Sequence, residues 1–222
     1  MTDRQGATQR LCDKGVIAVV RAAGSEQLID VASALLAGGV DCIEITMTTP
    51  NALKVIAECR SAVGGAMIGV GSVLTAEVAR AAVDAGAQFV VCPIFRPAII
   101  DASHAAGVPC VPGAFTPSEI LAATEAGADL VKVFPAGRLG PAYFKDILAP
   151  MPHLKLTPTG GVELDTAAEW IAAGAATLGV GSSLVTRAAL AKGDMAEINR
   201  LAGQFVRIVA DARAARAGAK PR

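Results

Sequence analysis

A recurring mark organises this chain: alanine-rich amphipathic segments end at a glycine, and two or three residues later a short run of β-branched residues begins. The stretches "LLAGGVDCIEI" and "TEAGADLVKV" are two examples. Each mark predicts a helix end followed by a strand, because glycine terminates helices and β-branched residues favour strands. The marker glycines lie at intervals of 48, 21, 20 and 47 residues, and they are Gly38, Gly86, Gly107, Gly127 and Gly174.

The two long intervals are each about twice a short one. This indicates that each of them contains one further helix–strand unit that lacks the marker glycine. The stretches "GGAMIGVGS" and "HLKLTPTGG" supply their strands, and "GVIAVVR" supplies the first strand of the chain. The predicted strands lie near residues 16–21, 40–46, 67–71, 88–92, 108–111, 129–134, 154–157 and 176–180.

Eight strands that alternate with helices predict an α/β protein of the closed (β/α)8 type, a TIM barrel. We expect residues 1–222 to form a single domain, with an N-terminal segment over 1–14 and a basic tail over 213–222 that frays from the last helix. A doubly wound open sheet is the alternative. That fold is commonly marked by a GxGxxG turn or a P-loop after the first strand, and "VVRAAGSEQ" is neither.

Composition and charge narrow the possible partners. The 222 residues include 20 Lys plus Arg against 20 Asp plus Glu, so no net field favours nucleic acid or an anionic membrane. The five cysteines contain no CxxC pair, which argues against a zinc site or a disulfide framework and suits a reducing cytoplasm. The amino terminus is polar and no run of about 18 apolar residues occurs, so we expect neither a secretory signal nor a membrane span. Small-molecule chemistry is the interpretation that remains.

Two oppositely charged residues fall in the middle of predicted buried strands. Lys132 lies in "DLVKVFPAG", and alignment of the second and sixth units on their glycines places Glu44 at the equivalent position. Alternate strands of a barrel contribute to the same interior layer, so the two side chains would face each other across the lumen. They could form a structural ion pair. They could instead serve catalysis, because a lysine in an apolar site can attack a carbonyl as a neutral amine while a carboxylate moves the protons.

Four motifs stand in the same order and spacing as in a known family: "IEITMTTP", "GVGSVL", "VKVFPA" and "TPTGGV". They resemble the 2-keto-3-deoxy-6-phosphogluconate (KDPG) and 4-hydroxy-2-oxoglutarate (KHG) aldolases, class I enzymes that work through a Schiff base. The resemblance extends from "GVIAVVRA" to "GVGSSLV". It implies that Lys132 is the Schiff-base lysine, that Glu44 is the general acid/base and that the Ser72 hydroxyl lies near the pyruvate moiety. It also implies a cytoplasmic homotrimer of the Entner–Doudoroff pathway.

The family's phosphate-binding loops match "TGGV" and "VGSSLV". The residues themselves support this match, because the loops after the seventh and eighth strands of such barrels commonly bind phosphate through backbone N–H groups. The alternative is that these turns only cap two helices. The candidate phosphate-binding residues are Thr159, Gly160, Gly161, Gly181 and Ser182.

The chain departs from the family at one position. Many members have an arginine that clamps the substrate carboxylate where this chain has Thr48 in "EITMTT". Arg21, at the end of the first strand, is the nearest candidate replacement, and its alternative is a solvated loop arginine. Arg96, after the fourth strand, could likewise meet an anion or solvent. We also assign Pro93 and Phe134 to the substrate pocket.

The resemblance implies a retro-aldol cleavage of KDPG to pyruvate and glyceraldehyde 3-phosphate. A protonated imine can accept the electrons of the broken bond, so we expect no metal and no organic cofactor. The related alternatives are a 4-hydroxy-2-oxoglutarate aldolase and a 2-dehydro-3-deoxy-6-phosphogalactonate aldolase. A phosphosugar isomerase or epimerase and a non-catalytic phosphometabolite-binding protein are alternatives of a different class.

Overall fold

Helices and parallel strands alternate throughout the computed structural model, which describes residues 4–21 and 25–218. The strands are β1 Val16–Val20, β2 Cys42–Thr46, β3 Met67–Gly71, β4 Val90–Val91, β5 Cys110–Val111, β6 Gly113–Ala114, β7 Val131–Val133, β8 Leu156–Pro158 and β9 Leu178–Val180. The helices are α1 Arg4–Lys14, α2 Ser25–Ala37, α3 Ala52–Ala62, α4 Ala76–Asp84, α5 Pro97–Ala105, α6 Pro117–Glu125, α7 Gly140–Leu148, α8 Ala167–Ala172, α9 Arg187–Lys192 and α10 Met195–Gly218. A short 3-10 turn covers Ala136–Arg138.

The strands pair in parallel within two sheets, whose orders are β5-β4-β3-β2-β1-β9 and β6-β7-β8. An isolated parallel bridge joins Thr159 to Gly179, between β8 and β9. Pro112 separates β5 from β6, since proline has no N–H to offer a sheet ladder. The result is an α/β fold whose parallel sheet curls into a half-barrel. The fifth predicted strand, 108–111, therefore corresponds to β5 alone, and β6 was not predicted.

Side chains alternate between the two faces of the strands. Ile43 and Ile45 of β2 pack outward into the main apolar cluster, which lies between the sheet and the helices. Cys42, Met67 and Phe89 belong to a second apolar cluster on the opposite face. Leu11 of α1 is buried in this second cluster, so α1 covers the amino ends of the strands. Polar side chains on the inner face consequently lie nearer the carboxyl ends.

The carboxyl-terminal segment differs from its prediction. Residues 213–218, expected to fray, continue α10 as far as Gly218. Arg213 donates hydrogen bonds to the carbonyls of Cys12 and Ala176 at 2.5 and 2.8 Å, and Arg216 donates to that of Ile171 at 3.3 Å. These bonds fasten the basic end to the body of the protein, which corrects the prediction; residues 219–222 lie outside the described residues.

The helices of the described ranges were compared with the requirements of a membrane span. None of them combines the length and the apolar character that a bilayer crossing requires.

Candidate active site

A cavity of about 510 Å³ opens at the carboxyl ends of the strands. Most of the residues assigned to the site from the sequence line it, although they come from distant parts of the chain. The predicted residues that line the cavity are Arg21, Ser72, Pro93, Lys132, Phe134, Thr159, Gly160, Gly161, Gly181 and Ser182. Two predicted residues, Glu44 and Thr48, do not belong to its lining.

Lys132 extends from the inner face of β7 into the floor of this cavity. Only 6% of the residue is exposed. Its Nζ lies 5.1 Å from the centroid of the Phe134 ring, within the range of a cation–π contact. No hydrogen bond or ion pair to Nζ occurs within residues 4–21 and 25–218. The amine is therefore held by packing and is open to a ligand in the cavity.

Glu44 lies beneath the cavity on the inner face of β2 and is 2% exposed. A Cβ atom at Gly71 would overlap its carboxylate oxygen, so the glycine of "GVGSVL" makes the room that Glu44 occupies. Burial raises the pKa of Glu44, and the charges of Lys132 and Arg21 partly oppose that rise. A carboxyl with a raised pKa exchanges its proton closer to neutral pH than a free glutamate does.

Lys132 and Glu44 do not form a direct ion pair. Among the described residues, no ion pair with an N to O distance within 4.0 Å joins them, although their charges influence one another. The structural ion pair considered from the sequence is therefore not formed. Lys132 instead faces the cavity, which water or a substrate can fill, while Glu44 is buried outside the lining and interacts with Lys132 through its charge.

The turn after β8 is built to bring backbone close to the cavity. Gly160 and Gly161 have φ of 80° and 83°, a left-handed conformation that glycine adopts without strain. The N–H of Gly137 donates to the Gly160 carbonyl at 2.7 Å. Ser183 links this turn to the loop after β9, since its hydroxyl donates to the Val162 carbonyl at 2.6 Å. The neighbouring hydroxyl of Ser182 lines the cavity.

Sequence reasoning missed two charged residues of the lining, Glu163 and Arg187. Arg187 begins α9, directly after the N-cap Thr186, whose hydroxyl accepts a hydrogen bond from Ala189 N at 3.1 Å. The capping threonine was the available signal, because it indicates that the chain turns into a helix at the edge of the second glycine-containing loop. Arg187 supplies a cation at the same end of the cavity as both loops.

Three further residues differ in how they relate to the cavity. Ser72 has φ of 62°, a conformation that is strained for a residue with a side chain. The Thr48 hydroxyl is 2.8 Å from that of Thr46 and lies outside the cavity. Arg96 donates to the Leu74 carbonyl at 3.3 Å, so its guanidinium is directed at the backbone. Only Ser72 of these three lines the cavity.

The sequence matches the family KDPG and KHG aldolase over residues 8–201. A 2-dehydro-3-deoxy-phosphogluconate aldolase of Treponema pallidum is 38% identical over 195 residues, which cover 87% of this chain and 93% of the relative. A probable 2-dehydro-3-deoxy-6-phosphogalactonate aldolase of Rhizobium meliloti is 36% identical over 174 residues, covering 78% and 82%. The relatives are carbon–carbon lyases.

A solved structure supports the same conclusion. KDPG aldolase from Legionella pneumophila, with pyruvate captured as a covalent carbinolamine, has a TM-score of 0.83 and 28% identity. The match covers 90% of this chain and 97% of that one. The chain belongs to the KDPG and KHG aldolase family. This membership favours an aldolase over the isomerase, the epimerase and the non-catalytic binding protein considered from the sequence.

Proposed function

We propose that this protein is a class I aldolase that cleaves 2-dehydro-3-deoxy-6-phosphogluconate to pyruvate and glyceraldehyde 3-phosphate. The observation that carries the proposal is the buried, unpaired Lys132 at the floor of the cavity, with the raised-pKa carboxyl of Glu44 nearby. The names of the relatives from T. pallidum and L. pneumophila support the substrate.

The reaction begins with imine formation. The lone pair of the neutral Lys132 amine attacks the C2 carbonyl, a C–N bond forms, and the carbonyl electrons move to oxygen, which gains a proton. The carbinolamine then loses water, with a proton supplied by Glu44 directly or through a water molecule, to give the protonated imine. The pyruvate captured as a carbinolamine in the L. pneumophila enzyme is an intermediate of this kind.

Cleavage follows from the positive charge on the imine. The C4 hydroxyl gives its proton to Glu44, a C4=O bond forms, and the electron pair of the C3–C4 bond moves into the imine to make an enamine. Glu44 then returns the proton to C3, and water hydrolyses the imine to release pyruvate and the free amine. The imine nitrogen accepts the electrons, so the mechanism requires neither a metal nor an organic cofactor.

The two anionic groups of the substrate have separate partners in this proposal. Arg21, whose charge acts on Glu44, holds the carboxylate next to the imine in place of the arginine that Thr48 replaces. The phosphate lies at the glycine loops and Arg187, which line the same cavity. The Ser72 hydroxyl meets the pyruvate moiety. The phosphate-binding end supports a preference for a phosphorylated substrate over 4-hydroxy-2-oxoglutarate.

A second candidate substrate is 2-dehydro-3-deoxy-6-phosphogalactonate. Two observations favour it: Thr48 stands where many family members have the arginine clamp, and the R. meliloti relative has that substrate in its name. Both candidates carry the same phosphate and differ in stereochemistry near the bond that breaks. A comparison of kcat/KM for the two phosphorylated substrates and for 4-hydroxy-2-oxoglutarate decides among them.

We further propose that the chain is a single domain whose sheet closes into an eight-stranded (β/α)8 barrel. Support comes from backbone bonds on both sides of the three-stranded sheet. Lys132 N donates to the Pro112 carbonyl, and Ala176 N donates to that of Leu156, each at 2.8 Å. In this description β5 and β6 are one strand interrupted at Pro112. An experimental structure with separate β8 and β9 would contradict closure.

The proposed enzyme is a cytoplasmic homotrimer. Alanine-rich helices with few exposed charges suit a flat interface between copies. Light scattering at working concentration measures the mass of the assembly, and a monomer would contradict this part of the proposal.

The central experiment is to trap the imine. Pyruvate plus borohydride is expected to add a reduced three-carbon adduct to Lys132, located by peptide mass spectrometry. Lysines that lie outside the cavity, such as Lys155, serve as internal controls in the same digest. An unmodified Lys132 at saturating pyruvate would overturn the Schiff-base mechanism.

A further inference from the structure

A hydroxyl group beside the candidate catalytic lysine has no hydrogen-bond partner among residues 4–21 and 25–218. Thr157 lies on β8 and is 2% exposed, and its Oγ1 is buried without a hydrogen bond. Burying a hydroxyl without a partner is unfavourable, so buried polar atoms in native proteins are nearly always paired. Valine has almost the same shape and would avoid this cost. The presence of threonine at this position therefore requires an explanation.

The register of the sheet places this hydroxyl next to Lys132. In the parallel pair of β7 and β8, Lys132 is opposite Thr157, while Val131 is opposite Leu156. Residues directly opposite each other on neighbouring strands project from the same face of the sheet. Leu156 and Val131 belong to the apolar cluster under the helices, so Lys132 and Thr157 share the inner face.

Three polar groups consequently lie on the inner face of the strands, where Lys132 lines the cavity, without a hydrogen bond to each other. The Nζ of Lys132, the carboxyl of Glu44 and the hydroxyl of Thr157 make no hydrogen bond within the described ranges. All three residues are almost fully buried. A group that enters the cavity, or a movement of the flexible lysine side chain, can pair them.

A missing partner alone does not identify a functional residue. The hydroxyls of Thr49 and Thr177 are also buried and unpaired. Neither of these residues is registered with Lys132, because Thr49 follows β2 and Thr177 precedes β9. The position of Thr157 opposite Lys132 is what separates it from them.

We propose that Thr157 is a positioning residue for Lys132, and this inference rests on the proposed aldolase function. Its oxygen accepts a hydrogen bond from one N–H of the neutral amine as the amine approaches the C2 carbonyl. A neutral amine has two N–H groups and one lone pair, so fixing one N–H limits rotation of the group. The lone pair is then directed toward the cavity, where the carbonyl carbon of the substrate lies.

The test compares Thr157→Val with Thr157→Ser. The rate constant for imine formation with pyruvate, followed by timed borohydride quenching, is expected to fall about three- to tenfold in Thr157→Val, the scale of one lost hydrogen bond. Serine keeps the hydroxyl, so Thr157→Ser is expected to stay near the wild-type rate. The KM for the phosphorylated substrate should change little, because Thr157 is not among the residues that line the cavity.

Thermal stability separates positioning from a structural role. Removing an unpaired buried hydroxyl should leave the Tm of Thr157→Val equal to or above that of the wild type. Thr177→Val is the matched control, because it removes another unpaired buried hydroxyl and is expected to keep the wild-type rate. A falling Tm that accompanies the falling rate would show a structural role and overturn the inference.

Three other results would also overturn it. They are a wild-type rate in Thr157→Val, a Thr157→Ser variant as slow as Thr157→Val, and an equal loss of rate in Thr177→Val. Failure of the aldolase proposal is seen separately, since the wild-type protein itself would then form no borohydride adduct.

Discussion

Buried charged groups are paired at the amino ends of the parallel strands and unpaired at their carboxyl ends, within the described residues. At the amino ends, the Asp129 carboxylate is 2.9 Å from His104 Nε2, and it accepts hydrogen bonds from Cys110 N at 2.9 Å and from the Thr8 hydroxyl at 3.1 Å. Arg4 completes this group, with its guanidinium 2.8 Å from His104 Nδ1. At the carboxyl ends, Lys132, Glu44 and Thr157 have no such partners in the part of the chain that the structure describes.

A second acidic residue shows that the pairing at the amino ends is general. Arg10 donates to the Asp41 carboxylate at 3.0 and 2.7 Å, and the Lys14 Nζ lies 3.6 Å from it. A cavity of about 520 Å³ is found at this end too, and Asp129, one of the residues that line it, already has its hydrogen-bond partners. Cavity size therefore does not identify the active site. A buried amine that lines the cavity without a partner among the described residues does, because its partner arrives with the substrate.

The largest effect is expected from removing the amine. Lys132→Met should lower turnover by about 10⁴-fold or more and abolish the borohydride adduct, because no other group can form the imine. The same change should raise Tm, since it removes a buried amine that has no hydrogen-bond partner among the described residues. Lys155→Met, at the opposite end, is the control and should retain turnover. If Lys132→Met retained turnover near the wild-type value, the carboxyl ends of the strands would not be the catalytic end.

Removing the proton carrier should have the next largest effect. Glu44→Gln is expected to lower turnover by about 10²- to 10⁴-fold, the scale for a positioned acid or base, while phosphate affinity is unchanged. Steady-state kinetics and inhibition by inorganic phosphate measure the two quantities. Turnover close to that of the wild type would assign Glu44 to structure.

The difference in unfolding free energy between Glu44→Gln and the wild type should depend on pH. The pKa of Glu44 is raised on folding, so its favourable contribution is present below the unfolded pKa of about 4.3 and is lost as pH rises through the folded pKa. Glutamine cannot ionise, so Glu44→Gln should be more stable than the wild type at neutral pH. The difference should disappear in acid. Denaturant unfolding at several pH values measures it, and a less stable variant at neutral pH would contradict the sign.

At the amino ends the effect should fall on stability alone. Asp129→Asn weakens the contacts with His104 and Thr8 and is expected to cost about 2–3 kcal/mol of unfolding free energy. The value of kcat should remain that of the wild type, because the residue is at the other end of the strands. Urea unfolding and steady-state assays provide the two readouts. A large fall in kcat of the folded variant would show that the ends are coupled.

The smallest effect is expected at the edge of the cavity. Arg187→Gln should lower kcat/KM for the phosphorylated substrate by about tenfold, since an exposed cation loses a charge-assisted hydrogen bond to phosphate. Activity on 4-hydroxy-2-oxoglutarate, which has no phosphate, should not change. Arg207→Gln removes an equal charge from the exposed surface of α10 and serves as the control. Equal losses on both substrates would assign Arg187 a general electrostatic effect.

The sequence predicted the strands well where its local signals were strong. The β-branched runs of β1, β2 and β3 lie within one or two residues of their predicted bounds, since a strand buried on both faces needs continuous apolar residues. The interruption at Pro112 was missed, because a proline after a short run predicts only the end of a strand. Whether the chain resumes pairing beyond it depends on neighbouring strands that are distant in sequence.

The part of the site that lies on strands could be predicted from strand periodicity. Alternation along β2 and β7 was sufficient to predict that Glu44 and Lys132 share the interior. Two features of the described residues could not be predicted: the absence of an ion pair between Glu44 and Lys132, and the absence of a hydrogen bond to the Thr157 hydroxyl. Both depend on side-chain conformations that packing sets. Arg187 was not predicted for a related reason. It begins α9, and whether that helix starts at the cavity depends on the conformation of the loop before it.

The single bridge between Thr159 and Gly179 has a consequence for motion. β2 and β3 are joined by five registered pairs, whereas the described residues join β8 to β9 only through this bridge and the bond from Ala176 N to the Leu156 carbonyl. Their junction should therefore open first in local fluctuations. The candidate phosphate loops lie on either side of that junction. A phosphate bound by both loops would act as a brace across it. Amide hydrogen exchange should then slow at Thr159 and Gly179 when ligand is added, while exchange in β2 and β3 stays the same.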